Sequence, residues 1–283
     1  MAQNMPVPPL IARAIASALG GPSVRERADR LHFPDVGHGY DLFGLNPDFV
    51  AMGDAIADLL YRRYFRVRSV GHENIPATGP AVLAGNHSGT LPFDGMMAWV
   101  DVLRHTDPPR VPRGVADYFV PSLPFVSTLF ARCGVVGGSR GNAKALLDSG
   151  ELLMIFPEGT PGISKPFSQR YKLQDWRQGH CELAIRYGAP VVPFAVIGAE
   201  EQMPRLGSLP GVGAIPDIPI PATLVPLPVR YHIYYGKPIP LNEEFTPEAA
   251  DDPVVVRGAA LRVKAAVQEL IERGLRERKG VFA

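Results

Sequence analysis

Cysteine is nearly missing from this chain: Cys133 and Cys181 are the only two among 283 residues. Two thiols in apolar stretches are too few for a disulfide scaffold or a zinc site, and they point to a reducing compartment. Net charge is almost absent too, with 29 basic and 28 acidic residues giving +1, so nothing in the totals calls for a nucleic-acid partner. Long apolar runs are also lacking. The N-terminal MAQNMPVPPLIARAIASALGG has neither the basic leader nor the apolar core of a secretory signal, and no window of roughly 18 residues reads as a membrane-spanning helix. The nearest, Leu206 to Val229, has Asp217 as its only acidic or basic side chain but holds Pro210, Pro216, Pro219, Pro221, Pro226 and Pro228. Those prolines exclude a single helix. What is present is an apolar content of 46%, enough to bury the core of one large domain with arms at its ends and too high for a disordered or collagen-like chain.

The hydrophobic pattern sets the organisation. A short apolar helix is expected over Pro6–Leu19, stopped by Gly20, Gly21 and Pro22, with a charged, turn-rich linker over 22–45. Phe49, Met52, Ile56, Leu59 and Leu60 recur at helical spacing, so a helix is expected over Asn46–Arg63, with Asn46 as cap and Pro47 at its first position. Phe65–Val70 alternates like a strand with Arg66 and Arg68 on its polar face. Strands and helices then alternate. Strands are expected near Ala81–Ala84, Val111–Phe119, Gly134–Val136, Glu151–Phe156, Val191–Ile197 and Arg230–Tyr235. Helices are expected near Gly95–Arg104, Leu123–Arg132, Asn142–Ser149 and Gln178–Tyr187, and the longest over Pro253–Arg278. This order predicts an α/β fold: a single-domain sandwich with a mixed, largely parallel central sheet flanked by helices, plus an N-terminal helical arm and a C-terminal helix. The expected divisions are 1–64 for the arm and linker, 65–245 for the catalytic domain and 246–283 for the C-terminal helix packed on the core.

Chemistry-bearing residues gather where strands end. The run AVLAG delivers Asn86, His87 and Ser88 to a polar turn, with Asp94 near the start of the next helix. A histidine and a carboxylate meeting there can act as a general base and its orienting partner. The stretch GVVGGSRGN brings glycines whose backbone can approach an anion, and Arg140 at the start of a helix. Its Gly137-Gly138-Ser139-Arg140-Gly141 also matches a nucleophile-elbow pattern. The strand LLMIF runs into Pro157-Glu158-Gly159-Thr160, and Pro193 interrupts a buried strand, which implies an edge, a bulge or a strand lining a cavity.

The ordered blocks NHSGTLPFD, GVVGGSR, FPEGT and VVPF resemble those of the glycerolipid acyltransferase family, which acylates glycerol phosphate and lysophospholipids, over about Gly71 to Pro240. The resemblance implies that His87 takes the proton from an acceptor hydroxyl while Asp94 fixes the imidazole tautomer. It implies that Gly134 and Arg140 bind the acceptor phosphate, that Glu158 and Gly159 shape the acceptor site, and that Pro193 lies on the acyl channel wall. Asn86, Ser88 and Thr160 are expected beside the substrate. The donor would be acyl-CoA or acyl carrier protein, with no metal, no cofactor and no covalent acyl-enzyme. Two departures stand out. The family spaces its pair as His-x4-Asp, whereas six residues separate His87 from Asp94 and Pro92 falls where the aspartate would be. The arginine that often follows EGT is Pro161 here, so Arg170, Lys172 or Arg177 would supply the missing contact.

The resemblance further implies a peripheral protein on the cytoplasmic face of a membrane. Residues 206–229, flanked by Arg205 and Arg230, are its expected contact, with residues 6–19 and the basic set Arg62, Arg63, Arg66 and Arg68 as further candidates. Two other readings compete. One is a serine lipase or esterase using Ser139, with His180 or His232 as base and Asp175 or Asp217 behind it. The other is a lipid-binding module without catalysis.

Overall fold

The computed structural model describes residues 8–88, 91–117, 120, 123–209 and 218–283. Its centre is a seven-stranded sheet in the order β1 (Arg68–Val70), β9 (His232–Tyr235), β6 (Val191–Ile197), β2 (Ala81–Gly85), β5 (Leu152–Ile155), β3 (Arg113–Ala116) and β4 (Val136–Gly137). The β6–β9 pair is antiparallel and the other neighbours are parallel, so the mixed, largely parallel sheet expected from the alternation is found.

The strand sequences explain why both faces are covered. In β2, Ala81 and Leu83 join the core on one face while Val82 and Ala84 join the core on the other, as the two-residue period of a strand requires. The first face packs on α2 (Pro47–Leu59) and α3 (Phe93–His105), through Val50, Met97 and Val100 among others. The second packs on α5 (Arg140–Asp148), α7 (Gly179–Arg186) and α10 (Pro253–Glu277), through Leu146, Cys181 and Val263. Each fully buried Val, Leu or Ile here contributes about 1.5–3 kcal/mol of transfer free energy.

Helix starts follow the expected chemistry. Asn46 accepts from the Asp48 and Phe49 amides with Pro47 at the first position, and Asp252 caps α10 through the Val254 amide. The arm differs from expectation. α1 (Pro9–Asp29) does not stop at Gly20-Gly21-Pro22 but breaks at Gly21, whose φ of 67° is non-helical, and resumes with Pro22 in the first turn of its second half. Part of the supposed linker is therefore helix. Charge holds it against α2: Arg13 and Arg25 reach Asp48, and Arg27 and Arg104 converge on the buried Asp54.

Of the three alternatives expected at Pro193, the structure shows the bulge. The proline lies in an interior strand between β9 and β2, and its missing N–H coincides with an irregularity in the partner. Phe194 pairs with Tyr235 and Val191 bridges Ile239, so three steps along β6 face four on the other side. That one-residue bulge is how the strand accommodates its proline. The proline-rich segment forms, where described, a two-stranded antiparallel ribbon of β7 (Arg205–Leu209) and β8 (Ile218–Pro221). Its residues 210–217 lie outside the described residues. Arg205, expected to meet headgroups, instead donates to the carbonyls of Ser164 and Gly207. Arg62 pairs with Asp58 and Arg66 donates to backbone carbonyls of Tyr64, Pro228 and Phe282, so the basic set is not one free patch. No helix of the described residues is long and apolar enough to cross a membrane.

Candidate active site

The site lies at the carboxyl end of β2, in the middle of the sheet, where parallel strands open a crevice for ligands. Just past the strand, the buried Asn86 side chain accepts from the Val196 amide at 2.8 Å and donates to the Val196 carbonyl at 3.1 Å. It ties the turn to β6 and faces no solvent, so it is a clamp and not the substrate contact expected of it. His87 follows. Its Nδ1–H donates to Asp94 Oδ2 at 2.7 Å.

The long spacing does not prevent this pairing. α3 begins at Phe93, one residue before Asp94, so the aspartate sits in the first helical turn rather than at the cap. There it also accepts from the Ser88 amide at 2.8 Å and the Gly95 amide at 2.7 Å. The ring and two backbone donors together hold this carboxylate in place at the helix N-terminus, where the peptide dipoles favour negative charge. Ser88 is fully buried and its hydroxyl has no hydrogen-bond partner among the described residues.

Burial alone would lower the His87 pKa. The charge and hydrogen bond of Asp94, with Glu158 adding to them, outweigh it, and the imidazole stands above its ordinary value. The Phe156 ring stacks on the imidazole with centroids 4.4 Å apart, fixing its plane. Gly162 packs against the same residue: a Cβ there would meet the His87 carbonyl at 3.0 Å and its Cβ at 3.1 Å.

Glu158, expected to shape an acceptor site, is buried and works on the backbone. Its Oε1 accepts from the His87 amide at 3.0 Å and its Oε2 from the Gln174 amide at 2.7 Å. Lys165 Nζ answers its charge from 3.7 Å while bonding Glu200 at 3.0 Å. Burial pushes Glu200 up to about 7 against the pull of Lys165. Lys165, Glu200, Gln174 and the stacking role of Phe156 escaped sequence reading. Only the position of Phe156 at a strand end beside Glu158 hinted at its place.

Beside this clamp, Thr160 donates to Asp117 Oδ2 at 2.8 Å, and Arg177 pairs with the same carboxylate at 3.6 Å. Gly159 has φ 58°, and the Arg177 guanidinium lies over it, 3.2 Å from where a Cβ would be. Of the three cations considered in place of the missing arginine, Arg177 is therefore the one beside the EGT turn. Arg170 stacks on Phe167.

The expected phosphate contacts are not gathered here. Gly134 is buried against Val111, Leu45 and Arg113, with φ 93°, which makes it a packing and turn position. Arg140 points outward and pairs with Glu182 at 2.8 Å. Ser139 is no nucleophile elbow: at φ −132° its backbone is extended, and its hydroxyl accepts from the Asn142 amide to cap α5. His180 bonds the Arg177 carbonyl, and burial pushes it down to about 4. Ser139→Ala is expected to leave activity unchanged while costing about 0.5–2 kcal/mol of stability as a lost cap, read by thermal unfolding beside an activity assay. Among the described residues no cluster of three or more histidines, cysteines or carboxylates could hold a metal.

Residues 66–197, from just before β1 to the end of β6, match the acyltransferase family. The chain is 36% identical over 258 residues to an uncharacterized protein of Mycobacterium tuberculosis, covering 87% of this chain and 72% of that protein. It is 34% identical over 255 residues to an uncharacterized protein of Mycobacterium leprae, covering 86% and 69%. With the DGAT1/2-independent enzyme synthesizing storage lipids of Bos taurus it shares 28% identity over 206 residues, 72% of this chain and 58% of that one. In fold it is similar to the crystal structure of the 1-acyl-sn-glycerophosphate acyltransferase of Thermotoga maritima, with a TM-score of 0.56, 16% identity, and 96% and 97% of the two chains covered.

Proposed function

This chain belongs to the acyltransferase family, and from that premise we propose that it moves a fatty acyl group from an acyl thioester, acyl-CoA or acyl carrier protein, to a hydroxyl of a glycerolipid or lysophospholipid. The observation that carries the proposal is the 2.7 Å bond from His87 Nδ1–H to Asp94. With its proton committed there, the ring presents Nε2 as a lone pair, the form a general base needs. Nε2 takes the acceptor proton as the hydroxyl oxygen bonds to the thioester carbonyl carbon. The tetrahedral intermediate then loses the C–S bond, and the imidazolium returns the proton to the departing thiolate. Asp94 stabilises that imidazolium without itself being protonated. A lipid acceptor is supported by the relative whose name describes storage-lipid synthesis. The non-catalytic reading loses the feature that favoured it, because the wide spacing still closes the pair.

The raised His87 pKa fixes the sign of the pH dependence. The base is active when neutral, so the rate rises with pH through a value above the ordinary 6.5. The same shift stabilises the fold at low pH, a contribution lost as pH rises through the raised value. Asp94→Asn removes the charge that opposes burial. Its acid limb is expected to move to lower pH while the rate falls by about 10²–10⁴-fold. A pH–rate profile of both proteins checks this, and an unmoved limb contradicts it.

The protein meets its lipid as a peripheral protein on the cytoplasmic face of a membrane. The ribbon of β7 and β8 with the turn after it supports this, since Leu206 is 75%, Leu224 95% and Val225 65% exposed, a cluster suited to interfacial insertion. Leu206→Asp with Leu224→Asp is expected to abolish recovery of the chain on phosphatidylcholine vesicles in flotation. Undiminished recovery contradicts this placement.

A further inference from the structure

Between the end of α10 with the residues after it and the edge strands β1 and β9 lies a cleft of about 330 Å³. It is lined by Arg68, Arg230, His232, Glu277, Lys279 and Ala283. Arg68 and His232 are register partners in the parallel β1–β9 pair, so their side chains stand on one face. Because His232 also lies opposite Ile197 at the carboxyl end of β6, the cleft opens at the same end of the sheet as His87.

Three cations, Arg68, Arg230 and Lys279, face this cleft against the Glu277 side chain and the carboxylate of Ala283. Arg68, Arg230 and Lys279 form no ion pair among the described residues. The one carboxylate side chain, Glu277, is already engaged by Arg273 at 2.7 Å and the Tyr234 hydroxyl at 2.9 Å. Two polar atoms are stranded as well: Arg230 Nε and His232 Nδ1 are buried without a hydrogen-bond partner among the described residues. His232 is only 3% exposed. Burial, then the charges of Arg230, Arg68 and Arg278, hold its imidazole below the ordinary range, against a smaller opposing pull from the Arg230 backbone. Such a pocket has the potential and the donors of an anion site, and buried donors of this kind are normally paired.

We propose that this cleft binds a phosphate group, with Arg68 and Arg230 as guanidinium donors, Lys279 as a third charge and His232 Nδ1 as the buried hydrogen-bonding partner. Two guanidiniums and an ammonium match the charge and several acceptor oxygens of a phosphate better than the two oxygens of a carboxylate. The phosphate arrives on a lipid headgroup or on a soluble ester, and the recognising chemistry is the same. The site does not depend on the transfer reaction: an inert His87 would leave it standing.

The test uses the full chain. Inorganic phosphate is titrated while the His232 ring is followed by NMR, and a saturable shift with a rise in the His232 pKa is expected. Arg68→Ala and Lys279→Ala, both at exposed positions that the fold tolerates, each weaken binding about tenfold, and Arg68→Glu abolishes it. Arg63→Ala, an exposed cation outside the cleft, leaves the affinity unchanged. Flotation on phosphatidylcholine vesicles with and without phosphatidic acid then distinguishes the sources. If Arg68→Glu loses the extra recruitment by phosphatidic acid, the headgroup is the ligand. If recruitment persists while inorganic phosphate binding is lost, a soluble ester is the ligand. Either result supports the cleft. No saturable response at His232, or equal phosphate affinity in wild type and Arg68→Glu, overturns it.

Discussion

Replacing His87 with alanine lowers acyl transfer by roughly 10²–10⁴-fold, the usual contribution of a positioned general base, while the protein stays folded. The side chain contributes little to the core: its ring is partly exposed at the mouth of the turn, and the backbone of the turn is held by other groups. The His87 amide remains bonded to Glu158, Asn86 remains locked to Val196, and the Ser88 amide remains bonded to Asp94. The loss should therefore appear mainly in turnover, with the circular dichroism spectrum unchanged and the melting temperature lowered only by the lost His87–Asp94 bond. Near-normal turnover in His87→Ala would remove the base from the mechanism.

Glu158→Ala is expected to unfold or loosen the protein rather than to inactivate a folded one. Its carboxylate is 1% exposed and receives the amides of both His87 and Gln174 while facing Lys165. Removing it strands two donors and leaves Lys165 with Glu200 as its remaining carboxylate, beside the Lys172 carbonyl. Breaking one side of such a buried pair costs about 3–5 kcal/mol, a large share of the total stability of a domain. Chemical denaturation reads this directly. Glu158→Gln, which keeps the shape and one acceptor oxygen, should lie between wild type and Glu158→Ala. A Glu158→Ala variant as stable as wild type would mean that the carboxylate does not hold the turn.

Elements with a continuous buried face were legible in the sequence because burial writes itself into periodicity. β6 matches the expected Val191–Ile197, and α10 matches Pro253–Arg278 to within a residue. Binary pattern did not reveal long-range pairing of polar groups. Residues 22–45 read as a linker, yet they carry Asp41, which forms a 2.6 Å ion pair with the buried Arg113 of β3. The β7–β8 ribbon was hidden by its prolines, whose effect on helices is plain and whose tolerance at strand positions is not. At the site, the residue types of His87 and Asp94 were readable, and their spacing argued against them. What the spacing could not show is that α3 starts one residue before Asp94, where the helix N-terminus and two amides draw the carboxylate toward the ring. Glu158 shows the opposite error. Its motif marks it as functional, and its geometry makes it a clamp under the catalytic turn.

The most direct measurement is single-turnover transfer from a labelled acyl thioester to a panel of lysophospholipids and diacylglycerol, with released thiol counted alongside labelled lipid. The dyad geometry predicts one ester formed for each thiol released, no label retained on the protein, and loss of both products in His87→Ala. A thioester consumed without any acylated lipid, label held covalently on the chain, or unchanged transfer in His87→Ala would contradict direct attack by a lipid hydroxyl activated at His87.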